Sequence, residues 1–236
     1  MSENIKKITK AFKVDLDSRE NQSIILKPSA RPFNNQAYQV NEVPAKIAEK
    51  IYNLIKDAKH PNDDTILNHN KIKEAFFSPF EPQLKDAQVF LSHSHADKNK
   101  ALKVKNYLES ETNHRVFIDS LFWDYKDDVL NELSEYDKTS KIKDAFTLIL
   151  RESLQNMIEK CPYFVFLESK NSVSNQGLSR ITYSAWIYEE LKIVHSIRES
   201  RPTPMMESWQ VFHDISPFLE SLETITLKEL SRIINS

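Results

Sequence analysis

The sequence predicts an α/β fold in which helices cover both faces of a parallel sheet. One observation of the sequence and one general requirement of parallel sheets lead to this prediction. From residue 86 onward, short apolar runs alternate with amphipathic segments that are long enough to form helices. Parallel strands also need crossover connections, which helices supply. The first 85 residues lack this alternation. We therefore predict a mostly helical N-terminal extension at residues 1–85 and an α/β domain at residues 86–236.

Two helices and one strand are predicted in the N-terminal extension. Residues 44–55 carry apolar side chains at i, i+3, i+4, i+7 and i+8, and Pro44 suits the first turn of a helix because no N–H is needed there. A shorter helix is predicted at residues 71–77, before Pro79. The apolar segment SIILKP, residues 23–28, is a candidate strand.

Strands and helices are predicted in turn along the α/β domain. The predicted strands span residues 87–91, 115–118 and 163–167. The predicted helices span residues 98–110, 141–160 and 182–197. A polar loop is predicted between the third strand and the third helix, at residues 168–180. Each boundary follows from a change in the spacing of the apolar residues.

The last part of the chain has a weaker pattern. Residues 203–208 are the nearest candidate for a fourth strand, and VFHDI, residues 211–215, is a further candidate. A final helix is predicted at residues 227–234. Thr226 precedes it and suits its N-cap, because a threonine hydroxyl accepts a hydrogen bond from a free backbone N–H group.

Composition excludes several classes of protein. A single cysteine, Cys161, rules out an intramolecular disulfide and fits a reducing compartment. A formal net charge of −2 gives no electrostatic footprint for nucleic acid or for a membrane surface. A single glycine, Gly177, excludes phosphate-binding loops built on glycine turns. With no secretory h-region and no apolar run of about eighteen residues, we expect a cytoplasmic protein.

The stretch VFLSHSHADK, residues 89–98, has two interpretations. In the first, His93, His95 and Asp97 approach the H-x-H-x-D-H signature of a metallo-β-lactamase-type metal site. Lys98 stands where that signature has its last histidine, and its positive charge would repel a metal. In the second, a strand leads into a polar loop, and Asp97 is the N-cap of the next helix. The second interpretation is favoured, and no metal is predicted.

A second stretch, SAWIYEELKIV at residues 184–194, contains a candidate functional carboxylate. On a helix, Trp186 and Glu190 are four residues apart and lie on one face. Glu189 points about 100° away, so the two glutamates are not expected to share a role. Taken alone, the pair reads as a core aromatic and a solvated surface charge. The apolar stripe of this helix is formed by Ile187, Leu191 and Val194.

Four motifs, taken in order, resemble those of a TIR (Toll/interleukin-1 receptor) domain. They read VFLSHSHADK, RVFIDS, CPYFVFLES and SAWIYEEL, within residues 86–236. The resemblance implies a flavodoxin-like fold with five parallel strands in the order 2-1-3-4-5. Ligands of such sheets bind outside the carboxyl ends of the strands at the topological switch point, which the first and third strands flank.

The resemblance also implies an activity and a set of site residues. In enzymatic TIR domains a glutamate of the third helix is the catalytic residue of NAD⁺ cleavage, and the matching residue here is Glu190. The residues implied to contact the substrate are Ser92, His93, Ser94, Asp119 and Trp186. NAD⁺ is then the substrate, and no cofactor or metal is implied. Cleavage develops positive charge on the ribose, which a carboxylate stabilises.

The implied biology concerns signalling. A stand-alone TIR protein is similar to the bacterial anti-phage type, such as the signal-producing subunit of Thoeris systems, whose cyclic product activates a separate effector. The outcome of cleavage is either an ADP-ribose-type signal or depletion of NAD⁺. Self-association through TIR–TIR contacts is implied, although the loop LFWDYKDD, residues 121–128, lacks the glycine common there in the family. One alternative is a non-catalytic TIR module that acts by self-association; another is nucleoside transfer on the same fold.

Overall fold

The computed structural model describes residues 10–27, 42–57, 69–78, 86–118, 128–132, 140–176, 179–199 and 213–236. The chain divides into two compact units. The larger unit holds residues 1–33, 86–120 and 155–236, and the smaller one holds residues 34–85 and 121–154.

The described strands and helices follow one another along the chain as listed here. The strands are β1 (Lys10–Asp15), β2 (Ala87–Ser92), β3 (Arg115–Ile118), β4 (Tyr163–Glu168), β5 (Ser174–Gln176), β6 (Ser179–Thr182), β7 (His213–Asp214) and β8 (Glu223–Thr224). The helices are α1 (Arg19–Ile25), α2 (Glu42–Asp57), α3 (His69–Phe77), α4 (Lys98–Thr112), α5 (Ser140–Lys160), α6 (Ala185–Glu199), α7 (Ser216–Glu220) and α8 (Leu227–Asn235).

The larger unit is built on a five-stranded parallel sheet with the spatial order β3-β2-β4-β1-β8. The predicted α/β class is confirmed, and the sheet is consistent with a flavodoxin-like fold. Its first three positions follow the predicted order of strands two, one and three. From β2 the chain crosses to β3 on one side, whereas β4 pairs with β2 on the other, so the strand order reverses between β2 and β4.

The fourth position of the sheet is filled by the N-terminal strand β1, which the sequence did not predict. It pairs with β4 along its whole length, from Lys10 opposite Tyr163 to Asp15 opposite Glu168. The segment KAFKVD buries its alanine, phenylalanine and valine. The α/β domain is therefore not confined to residues 86–236. The predicted fourth strand at 203–208 lies outside the described residues.

The candidate strand at residues 23–28 is wrong, because the chain is helical at Arg19–Ile25. Ser18 caps this helix by accepting a hydrogen bond from the backbone N–H of Asn21 (3.3 Å). The buried Asn21 side chain then donates to the Asp15 carbonyl (2.7 Å) and accepts from the backbone N–H of Leu227 (2.9 Å). The cap and these contacts outweigh the apolar run that suggested a strand.

Other predicted helices are confirmed to within three residues at each end. The capping prediction is also correct, since Thr226 and Glu229 form a reciprocal capping box at the start of α8. Helix α4 ends at Asn113, which adopts a left-handed conformation with φ of 49°. Glycine usually takes that position, and asparagine sometimes replaces it. This chain, which has a single glycine, uses asparagine there.

A small antiparallel sheet follows β4, where the sequence predicted only a polar loop at residues 168–180. Its order is β5-β6-β7, and β7 lies inside the predicted strand at 211–215. The carbonyl of Arg180 accepts from the backbone N–H of Ile215 (2.9 Å), which extends the pairing. Since β6 leads almost directly into α6, this sheet fixes where α6 begins.

The core of the larger unit contains a row of aromatic rings across three neighbouring strands. Phe90 of β2 lies 5.7 Å from the ring of Phe117 on β3 and 5.8 Å from that of Phe164 on β4. All three rings are buried. Because such pairs add to the free energy of burial, this row fixes the register of the strands that carry the site.

The smaller unit is helical where it is described. The predicted helices at 44–55 and 71–77 are confirmed as α2 and α3, and Pro44 lies in the first turn of α2. The first part of α5 also belongs to this unit, and its Glu152 lies 3.7 Å from the ammonium of Lys73 on α3. In the part of the chain that the structure describes, no helix combines the length and apolar character needed to cross a bilayer.

Candidate functional site

The candidate site lies at the carboxyl edge of the parallel sheet, where the strand order reverses. Strand β2 ends at Ser92, which pairs with Phe166 of β4, and β4 continues to Glu168. In open α/β sheets this crevice is where ligands bind, because the loops leaving the two strands diverge there. The residues that immediately follow β2 and β4 are therefore the first candidates for a functional role.

The central contact of the site joins β2 to α6. The Ser92 hydroxyl donates a hydrogen bond to the carboxylate of Glu190, 98 positions further along the chain. Both side chains are 0% exposed. The interpretation of Glu190 as a solvated surface charge is therefore wrong. A buried carboxylate is costly unless hydrogen bonds compensate it, so a carboxylate buried beside the carboxyl end of β2 is a candidate functional group.

Helix α6 places Glu190 by means of a cap and an apolar face. Ser184 precedes the helix, and its hydroxyl accepts from the backbone N–H of Ile187 (3.3 Å). The predicted apolar stripe is confirmed, because its three members are all buried: Ile187, Leu191 and Val194. Trp186, one turn before Glu190, is half-buried. The helix is thus anchored at its start and along one face, which orients the glutamate.

The neighbouring glutamate has a different environment, as its 100° offset predicted. Glu189 lies 3.7 Å from the ammonium of Lys192, three residues along the same helix. Lys192 also lies 5.5 Å from the centre of the Tyr188 ring. Burial raises the pKa of the Tyr188 hydroxyl, and the charge of Glu189 acts in the same direction. Glu189 therefore belongs to a side-chain cluster on α6 and is a natural control for Glu190.

The remaining predicted site residues fall into three groups. His93 follows Ser92 directly and is buried, and Ser94 is half-buried. Trp186 lies on the face of α6 that also carries Glu190. Asp119 lies outside the described residues. The structure thus brings Ser92 into contact with Glu190 and places His93 beside that pair in the chain.

Asp97 occupies the N-cap position of α4, but its predicted capping role is wrong, because its side chain makes no cap hydrogen bond. The buried carboxylate instead accepts from the Ser169 hydroxyl and from the Asn171 side-chain amide (3.0 Å). The ammonium of Lys100 lies 3.3 Å from the same carboxylate. Asp97 therefore binds the loop after β4 and does not cap α4, which is the role that the sequence pattern predicted.

The positions of His93, His95 and Asp97 do not favour the interpretation of these residues as metal ligands. His95 is exposed whereas His93 and Asp97 are buried, and Asp97 is already paired with an ammonium. Among the residues that the structure describes, no group of three or more His, Cys, Asp or Glu side chains is arranged to hold a metal ion.

A third loop, after β1, joins this polar network. Asp17 accepts a hydrogen bond from the Lys100 ammonium (3.3 Å) and one from the backbone N–H of Lys170 (3.2 Å). Burial alone would raise the pKa of Asp17, but these two partners hold it below its ordinary value. Burial would likewise lower the pKa of Lys100, and its bonds to Asp97 and Asp17 raise it instead. Sequence reasoning missed Asp17 because it missed β1.

A second ion pair lies at the end of β4. The Arg180 guanidinium of β6 binds the carboxylate of Glu168. Burial lowers the pKa of Arg180, and the nearby charge of Asp15 opposes that shift. This pair ties the small antiparallel sheet to the carboxyl edge of the large one. It was not predicted, since residues 168–180 read only as a polar loop.

Comparison with known proteins gives the chain no family. No protein-family model, curated protein or solved structure matches it. The chemistry of the site therefore follows from the residues and contacts described above.

Proposed function

We propose that the protein is a TIR-like enzyme that cleaves the nicotinamide–ribose bond of NAD⁺, with Glu190 as its catalytic carboxylate. The observation that carries the proposal is the buried hydrogen bond between Ser92 and Glu190 at the point where the strand order reverses. The ordered motifs of a TIR domain support it, because they pair these two residues with the first strand and the third helix. NAD⁺ is a substrate here, and the proposal requires no cofactor or metal.

The chemistry asks little of the protein beyond charge and position. When the bond breaks, its electron pair leaves with nicotinamide, which departs as a neutral molecule, so no general acid is needed. The ribose carbon becomes cationic, and a carboxylate held beside the sugar stabilises that charge. Burial strengthens the effect, because electrostatic interactions are stronger where water is excluded. Ser92 holds the Glu190 carboxylate in one orientation before the substrate arrives.

The cationic sugar is then captured by a nucleophile. Attack by water forms a carbon–oxygen bond, releases a proton and gives ADP-ribose. Attack by an atom of the same molecule gives a cyclic isomer. We propose that the product acts as an ADP-ribose-type signal, or that NAD⁺ is depleted, in anti-phage defence. Self-association of the chain and a separate effector that responds to the product belong to the same proposal.

The decisive experiment compares two neighbouring glutamates of α6. The full chain is incubated with NAD⁺, and the products are identified by mass spectrometry. Glu190→Gln keeps the size of the side chain but removes its charge, so we expect turnover to fall by about 10²–10³-fold. Glu189→Gln is the matched control and should retain turnover, since Glu189 lies beside Lys192 of the same helix and not beside Ser92.

Three outcomes oppose the proposal. Full turnover by Glu190→Gln would remove that residue from the chemistry. Equal losses in both variants would indicate damage to α6 and not the loss of a catalytic group. A wild-type chain that stays inactive even when crowded or assembled would favour a non-catalytic TIR module that acts by self-association.

A further inference from the structure

Asp97 has no part in the proposed chemistry, yet its carboxylate connects the loops that leave three strands. These loops span residues 16–18 after β1, 93–97 after β2 and 169–172 after β4. Asp97 belongs to the second of them and accepts from Ser169 and Asn171 of the third. The three strands are parallel, so their loops lie at the same edge of the sheet as Ser92.

The loop after β4 is built to present its donors to Asp97. Backbone N–H groups of Asn171 (3.0 Å) and Ser172 (3.2 Å) both donate to the Ser169 hydroxyl oxygen. The Ser172 hydroxyl accepts in turn from the backbone N–H of Ser169 (2.8 Å). These bonds close a tight turn in which the Ser169 hydroxyl hydrogen remains free to reach Asp97. Hydrogen bonds within residues 169–172 thus fold the loop, and its bonds to Asp97 fix its position relative to the loop after β2.

Lys100 extends the connection to the loop after β1. Its ammonium lies 3.3 Å from an oxygen of Asp97 and 3.3 Å from an oxygen of Asp17. The other oxygen of Asp17 accepts from the backbone N–H of Lys170, which returns the chain of contacts to the loop after β4. The contacts therefore form a closed ring through three loops. Since the Asp97 carboxylate is buried, water screens its interactions weakly.

We propose that Asp97 is a positioning residue, which holds the loops after β1, β2 and β4 as one rim around the Ser92–Glu190 pair. It does so without touching the reacting atoms. The rim sets where the segment from Ser92 to Ser94 stands when the substrate enters. This catalytic consequence rests on the proposed function, whereas the coupling of the three loops does not.

Amide hydrogen exchange of the full chain tests the coupling without any assay of turnover. Asp97→Asn keeps the shape of the side chain but cannot pair with Lys100 and offers one acceptor in place of two. We expect exchange in peptides covering the loops at 16–18 and 169–172 to accelerate by about tenfold. Peptides from α8 should exchange as in the wild type. The double variant Asp97→Asn with Asn171→Asp restores a carboxylate–amide pair in reversed order, and we expect it to recover most of the protection.

Steady-state kinetics with NAD⁺ test the consequence for the site. Because the Ser92–Glu190 bond stays in place, Asp97→Asn should raise KM by about tenfold and change kcat by less than about threefold. A role confined to stability would lower the active fraction, and hence kcat, without moving KM. The double variant should return KM toward the wild-type value.

Each result decides one part of the inference. Acceleration confined to the loops, with recovery in the double variant, supports the coupling. Unchanged exchange, or equal acceleration in α8, overturns it, and a double variant that exchanges as fast as Asp97→Asn overturns the direct contact with Asn171. An unchanged KM in an active enzyme overturns the positioning role. A wild-type chain that leaves NAD⁺ intact overturns the proposed function, while the exchange data still decide the coupling.

Discussion

Two buried carboxylates near the same edge of the sheet, Glu190 and Asp97, differ in the parts of the chain that they connect. Each accepts a hydrogen bond from a serine hydroxyl, Ser92 for Glu190 and Ser169 for Asp97. Asp97 also has the amide of Asn171 and the ammonium of Lys100. The contacts of Asp97 join one loop to another, whereas the Ser92 bond joins the end of β2 to α6.

The difference indicates how one edge of a sheet can serve two purposes. A buried charge with several matched partners makes removal of any partner expensive, which suits a group that holds loops together. Under the proposed function, Glu190 interacts instead with the positive charge that develops on the substrate. Burial alone does not distinguish these roles, since both side chains are buried. The parts of the chain that each carboxylate connects distinguish them.

The largest expected effect comes from making the same chemical change at both carboxylates. Asp97→Asn should lower the free energy of unfolding by about 2–3 kcal/mol, because it removes an ion pair and leaves polar partners unsatisfied. We expect a smaller loss in Glu190→Gln, since the Ser92 hydroxyl can still donate to the new amide oxygen. Urea unfolding of both variants measures the two values. Equal losses would mean that the two carboxylates do not differ as described.

A smaller effect is expected from Ser92, the hydrogen-bond donor to the proposed catalytic carboxylate. Ser92→Ala removes the hydroxyl that orients Glu190, and we expect turnover of NAD⁺ to fall by about tenfold, equivalent to about 1.4 kcal/mol. Ser153→Ala is a matched control, because Ser153 is also buried and donates to the carbonyl of Ile149 (2.7 Å) within α5. It should lose a similar amount of stability and no turnover. Unchanged turnover in Ser92→Ala would separate the serine from the function of Glu190.

The smallest effect concerns the pH dependence of the network around Asp97. Its outer member, Asp17, has a pKa below the ordinary 3.8 in the folded chain, because Lys170 and Lys100 outweigh the effect of burial. As pH falls, the unfolded chain therefore takes up a proton at this position first, and the stabilisation disappears as pH drops through the folded pKa. We expect Asp17→Asn to lose stability less steeply between about pH 5 and about pH 3, by under about 1 kcal/mol. Equal slopes would show that Asp17 does not contribute.

The sequence predicted the strands, helices and caps that are specified by residues close together in the chain. Strands β2, β3 and β4 are apolar runs, and the long helices have clear apolar faces, so each appeared where predicted. The cap at Thr226 was also readable, because a capping box involves residues three positions apart. Strand β1 was missed for the opposite reason. It is six residues long, contains Lys10 and Lys13, and is defined by pairing with β4, far along the chain.

The sequence predicted several residues of the candidate site, but it predicted few of the contacts between them. The TIR resemblance named Ser92 and Glu190, and the structure joins them by a hydrogen bond. It had placed Ser92 among the residues that contact the substrate, a role that stays a prediction. The network around Asp97 was not predicted, because its members come from three loops, and no spacing within one segment reveals such a meeting. The partners it joins are Asp17, Lys100, Ser169 and Asn171.

The N-terminal strand has a consequence for how the protein is made. Strand β1 is synthesised well before its neighbours β4 and β8, so it cannot pair until these later segments have been made. During that interval its apolar side chains stay accessible to chaperones and to other nascent chains. Loss of β1 by proteolysis would leave one edge of β4 open and ready to accept a strand from another molecule.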